Sequence, residues 1–216
     1  YEIQKARSDT REREETAVQV RARAEEERRR MERRERAMAH YETGRAEFEA
    51  AARLQARAGA TGERILKCRA AAEALGRAVR EDESYAEAWH LRGLVRFRLA
   101  EFGGAEQDFA ATLRVAPSFS PAAFQLAVLH EARYQIHSRA PYVKSPEEVR
   151  TAVAGQQKAV DLVLASSSSA LERWCCKALV HLRSRRFDEA LEALDRVRSE
   201  GGDLYSFALI RTAVLL

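Results

Sequence analysis

Residues 129–137, "LHEARYQIH", put two histidines and a carboxylate into one short segment, so metal chemistry is the first possibility to weigh. A zinc-protease helix needs H-E-x-x-H, which sets both imidazoles on one face with the Glu as base. Tyr134 stands where the second His should be, and His130 and His137 lie two turns apart. They read as ordinary histidines of a surface or groove. Cys175 and Cys176 are adjacent, so on a helix their side chains diverge by about 100° and cannot hold one ion together. They read as buried thiols. "SSSS" at 166–169 offers hydroxyls for phosphorylation, but an inter-element turn is the simpler role. The sequence has no nucleophile elbow, phosphate loop, dinucleotide glycine pattern or kinase signature. No catalytic residue, cofactor or metal set is therefore expected, and the function is sought in what the elements can bind.

Composition fixes the class of element. The 216 residues include only 10 Gly and 4 Pro, and Ala, Leu, Arg and Glu outnumber the β-branched types. That profile predicts an all-α protein. Lysine is scarce, at 5 residues against 32 arginines, and asparagine is absent; a GC-rich bacterial genome accounts for such a bias. The net charge of +4 is small beside 70 charged groups, a weak field for phosphate, so nucleic acid is not the expected partner. No apolar run approaches the roughly 18–20 residues of a membrane span. Three cysteines make no disulfide framework, which points to a reducing, cytoplasmic setting. The chain opens on Tyr1 and closes in "FALIRTAVLL", and so reads as part of something longer.

Residues 1–40 form a charged arm with 12 Lys/Arg, 10 Asp/Glu and no Gly or Pro. Pairs such as Glu25–Arg29, Glu26–Arg30 and Glu32–Arg36 support a helix by about 0.2–0.5 kcal/mol each. One heptad seam carries Ile3, Thr10, Ala17, Ala24, Met31 and Met38, while the second (Ala6, Arg13, Val20, Glu27, Arg34, Tyr41) is mostly polar. That is half of a coiled coil. It suits a solvated helical spacer, a helix docked on a partner, or weak self-association through residues 1–40.

From residue 41 the apolar spacing becomes that of paired helices. "HYETGRAEFEAAARLQARA" and "RILKCRAAAEALGRAVRED" flank the break "GATGE". "SYAEAWHLRGLVRFRLAEF" is separated from "AEQDFAATLRV" by a break placed near Gly103-Gly104, and Pro117 ends that pair. "SPAAFQLAVLHEARYQIH" precedes a loop, "SRAPYVK", and a helix opening at Ser145-Pro146-Glu147-Glu148. "ALERWCCKALVHLRSRRFDEALEALDRVRS" is a further hairpin closed by Gly201-Gly202.

Ala86–Pro117 resembles the tetratricopeptide repeat (TPR), a helix–turn–helix of about 34 residues with the pattern W-x₂-L-G-x₂-Y…A-x₃-F…P. Trp89, Gly93, Ala105, Phe109 and Pro117 match in register, whereas Arg92 replaces the usual Leu and Arg96 the usual aromatic. The second tryptophan, Trp174, heads the string with Ala178, Phe187, Ala190 and Leu194, and Trp–Ala spacing is 16 in both. The tryptophans are 85 residues apart, about 17 more than two repeats, so an insertion falls between Tyr134 and Val149 and at the serine run. Ala71, Leu75, Ala78 and Val79 fall one repeat before Ala105, Phe109, Thr112 and Leu113.

The resemblance thus implies a TPR-type α-solenoid of helical hairpins, preceded by a long charged helix. Residues 41–85 would be a degenerate repeat, 86–119 a clear one, 120–170 degenerate with an insertion, 171–202 clear, and 203–216 the truncated start of another. It also implies a non-enzymatic scaffold whose concave surface, lined by first helices, takes a peptide or helix of a protein partner. Carried over by register, the groove residues are Glu87, His90, Leu94, Phe97 and Arg98. They continue with Phe124, Gln125, Val128 and Glu131, then Glu172, Cys175, Leu179, Leu182 and Arg183. On this reading Phe97→Glu should abolish partner binding and leave helicity intact. Another helix of the same polypeptide could instead fill the groove. Some bacterial Ser/Thr protein kinases look similar downstream of their kinase domain, so a regulatory segment of a larger signalling enzyme is the alternative, and a nucleic-acid-binding helical repeat ranks below it. The TPR clamp for acidic chain termini uses Asn and Lys, which the groove positions lack, so that mode is not expected.

Overall fold

The computed structural model describes residues 2–54, 57, 59–139 and 146–199. These form α-helices arranged as successive antiparallel hairpins: α1 (Glu2–Arg53) with α2 (Thr61–Glu81), α3 (Ala86–Arg98) with α4 (Phe102–Val115), α5 (Ser120–Arg139) with α6 (Pro146–Ser166), and α7 (Ala170–Arg183) with α8 (Phe187–Ser199). The truncated repeat expected at 203–216 and the loop core at 140–145 lie outside the described residues.

The arm and the first repeat helix are one continuous helix, with no break at residue 40. The core-facing residues of α1 are Ala37, Tyr41, Gly44, Phe48 and Ala51, at alternating three- and four-residue steps. That stripe ends where α2 ends. Arg34 binds Asp82 at 2.6 Å, just past the last residue of α2, and from 16 to 33 every described side chain of α1 is exposed. Of the expected helix-stabilising pairs, Glu25–Arg29 forms at 2.5 Å, while Glu32 pairs backward with Arg28 and Arg36 reaches across to Glu81.

The turn between α3 and α4 falls at Leu99–Glu101, four residues before the expected glycine break; Gly103 and Gly104 lie in the first turn of α4. Ala100 makes the turn by adopting φ 60°, and Glu101 N–H closes it on the Arg96 carbonyl at 2.9 Å. This is a Schellman-type helix end. The α7–α8 turn repeats it 85 residues on, with Arg185 at φ 56° and Arg186 N–H on the His181 carbonyl at 2.9 Å. The backbone therefore shares the register of the two tryptophans.

Inside each of the first two hairpins a glycine lets the helices close. A Cβ on Gly93 would sit 2.6 Å from the Phe109 ring, and one on Gly44 2.6 Å from Leu75. The contact between α5 and α6 is reversed, with the large residue His130 on the first helix and Gly155 on the second. The expected extra residues between the tryptophans lengthen both α5 and α6, to 20 and 21 residues. At the serine run, Ser169 caps α7 by accepting the Glu172 N–H at 3.3 Å. Glu172 in turn accepts the Ser167 hydroxyl, whose oxygen takes the Ser169 N–H. The run is an N-cap relay, a variant of the capping box.

Candidate functional site

The first helices touch one another in chain order, α1 to α3, α3 to α5 and α5 to α7, whereas α2, α4, α6 and α8 make no such contacts among themselves. A row that touches is shorter than a row that does not, so the array curves with the first helices inside. The TPR-type helical repeat follows from this contact order, the two Schellman turns in register and the glycine contacts.

Close packing of the inner row decides which expected groove residues reach solvent. Phe97, Phe124, Val128, Cys175 and Leu179 all belong to the largest core cluster, and Glu131 is 1% exposed. Small residues on α5, among them Ala122, Ala123 and Ala127, let its neighbours close on it from several sides. Phe97→Glu would therefore bury a charge beside Phe102, whose ring centre is 5.6 Å away, and would not leave helicity intact. Glu87 and Arg98 are exposed, and His90, Leu94, Gln125, Glu172, Leu182 and Arg183 are half-buried. Leu94 packs against both the α1–α3 core and the core that begins at Phe97, so it marks the seam between repeats. The surface continues onto α1, where Arg98 lies over the Phe48 ring at 4.7 Å and Glu87 acts electrostatically on Tyr41.

Polar networks that sequence reasoning did not anticipate hold this row together. Asp108, 1% exposed on α4, accepts Arg92 Nε at 2.9 Å and Nη2 at 2.6 Å, and Arg96 Nη1 at 3.0 Å. Both departures from the TPR pattern are thus explained by one carboxylate. The signal was present: Arg92 to Asp108 is the same 16-residue step that aligns Trp89 with Ala105. Farther along, two expected groove residues pair with each other. Arg183 Nη2 donates to Glu131 at 2.6 Å and its Nε to Gln156 at 2.8 Å, while its guanidinium covers the Tyr134 ring at 3.4 Å. Gln135 and Gln156 also donate to Glu131. This latch ties α5, α6 and α7 and fills the inner surface between them.

The histidines are structural in their surroundings. His90 rests between Phe109 and Phe119, its Nε2 is buried without a partner, and burial lowers its pKa to about 4. His130, expected at a surface or groove, is buried over Gly155. Burial lowers its pKa, Glu106 at 3.9 Å opposes that, and Arg133 reinforces it. It edges an open cleft of about 360 Å³ with Arg133, Glu147, Glu148, Thr151 and Ala152. The side chain of His137 lies outside the described residues. Cys68, Cys175 and Cys176 are buried free thiols, and burial pushes the Cys176 thiol up. Among the described residues no three His, Cys, Asp or Glu side chains stand close enough to hold a metal, and no helix is long and apolar enough to cross a membrane.

No family model matches the sequence, and neither does any curated protein. Among solved structures, the chain is similar to TTC0263, a thermophilic TPR protein of Thermus thermophilus. The two share 15% identity at a TM-score of 0.39, over 80% of this chain and 100% of that one. The chain is an all-α, TPR-type helical repeat, a class built for protein contacts.

Proposed function

We propose that the chain is a protein-interaction scaffold that seats a helix or extended segment of a partner across the inner row formed by α1, α3 and the near edge of α5. The observation that carries this reading is the contact order of the first helices, which puts their half-buried side chains on the concave side. The floor is apolar, from Phe48 through Leu94, and Glu87 and Arg98 stand at its edges. A partner would anchor an apolar side chain over Leu94 and meet Glu87 and Arg98 with its polar groups. The α5–α7 end is occupied by the Glu131–Arg183 latch, so binding is biased to the N-terminal half of the row.

Selection of peptides from a random display library on the intact chain, followed by counter-binding to variants, tests this. Leu94→Glu and Arg98→Glu should keep the far-ultraviolet dichroism and weaken the selected peptides at least tenfold. Leu191→Glu, on the outer helix α8, should change nothing. Equal loss on both faces, or none on either, removes the inner row from consideration.

A further inference from the structure

Where α1 leaves α2, its inward stripe continues as Arg34, Arg30, Glu27 and Arg23, and no other described helix packs on it. Residues 2–33 therefore extend about 48 Å beyond the hairpin at 1.5 Å per residue. This segment carries a second stripe. Val20, Met31 and Met38 are 59%, 61% and 50% exposed. At 100° per residue they point within about 20° of one another, with Ala24 beside them, about 100° round from the face that packs on α2. Apolar side chains of this size aligned over five turns are a seam without its partner.

Charge selects the partner. Arg21 and Arg28 border the seam on one side, Arg23 and Arg30 on the other. Glu27 lies in the seam and Glu35 at its edge, too few acids to balance them. A second copy, parallel or antiparallel, would bring arginine rows together across the seam. Nucleic acid would meet Glu25, Glu26, Glu27 and Glu32 and leave the methionines in water. We propose that the free part of α1 docks an amphipathic helix of a partner protein, apolar on one face and flanked by Asp or Glu on both sides of that face. This surface is separate from the inner row of α3 and α5, and neither reading depends on the other.

The probe is a synthetic four-heptad helix with Leu at both seam positions and Glu at all flanking positions. A version with Lys flanks is the control. Fluorescence anisotropy with the intact chain should show the Glu-flanked peptide binding at least tenfold more tightly than the Lys-flanked one, and more weakly as salt rises. The double variant Val20→Gln/Met31→Gln, altered only at exposed positions, should lose binding while Leu94-dependent binding persists. Arg21→Glu/Arg23→Glu should shift preference toward the Lys-flanked peptide. Equal binding of both peptides, binding indifferent to Val20 and Met31, competition by duplex DNA, or self-association through the stripe in sedimentation would each overturn the proposal.

Discussion

Asp108→Ala is the sharpest test of what holds the inner row. The carboxylate accepts three hydrogen bonds from two guanidiniums at 1% side-chain exposure. Arg96, 28% exposed, can turn to the Gly104 carbonyl and to water once the carboxylate is gone. Arg92 is 12% exposed and would face an apolar hole with no acceptor. Removing one partner of a buried pair costs about 3–5 kcal/mol. Arg92 keeps its stack over Trp89, 4.6 Å from the ring centre, so the lower end applies, about 3 kcal/mol or roughly 6–12 °C for a chain of this size. Repeat arrays unfold by neighbouring units, so amide exchange should accelerate first in α3 and α4 and last in α7 and α8. Thermal dichroism and exchange mass spectrometry read both. In an Arg92→Leu background the same change should cost at least 1.5 kcal/mol less, because the stranded guanidinium is absent. A loss below about 1 kcal/mol, or additive costs in the double variant, would refute the reasoning.

Three further outcomes follow from the same geometry. Gly93→Ala should cost about 1–3 kcal/mol by forcing the Phe109 ring aside, whereas Gly103→Ala, whose Cβ meets nothing within 4 Å, should stabilise; melting midpoints of the two variants check the opposite signs. His90 is lowered from an ordinary value near 6.5 to about 4, so its neutral form favours folding above pH 6.5. That contribution, about 3 kcal/mol at most, is lost as pH falls from 6.5 through 4. His90→Leu should flatten the fall in melting midpoint between pH 7 and 4, and parallel curves would contradict the assignment. Arg185→Gly, relieving a left-handed residue at φ 56°, should raise stability by about 0.5–1 kcal/mol in urea unfolding.

The repeat was legible because close packing demands particular residue types: Trp89, Gly93, Ala105 and Phe109 announce one hairpin, and Trp174 with Ala190 another. Even the first hairpin was visible through Leu75, which meets Gly44 as Phe109 meets Gly93. The turn between α3 and α4 was misplaced because Gly103-Gly104 look like a break, while the chain bends at Ala100 under a hydrogen-bonded helix end that Ala tolerates at a strain cost. Composition shifts at residue 40, but a helix needs no boundary where its partner starts, so arm and hairpin run together. The candidate groove was legible only as a register. Which of its positions stay open depends on how closely α3, α5 and α7 approach, and that is set by alanines on α5 and by Glu131 reaching Arg183 over 52 residues. No local pattern encodes that distance.

Site-specific photo-crosslinking tests the central claim most directly. A photoreactive side chain at Leu94, on the inner row, is compared in the expressing cell with one at Leu191, on the outer helix α8. The account predicts discrete higher-mass protein adducts from position 94 and none from 191. Adducts from 191 alone, or equal adducts from both, would contradict it.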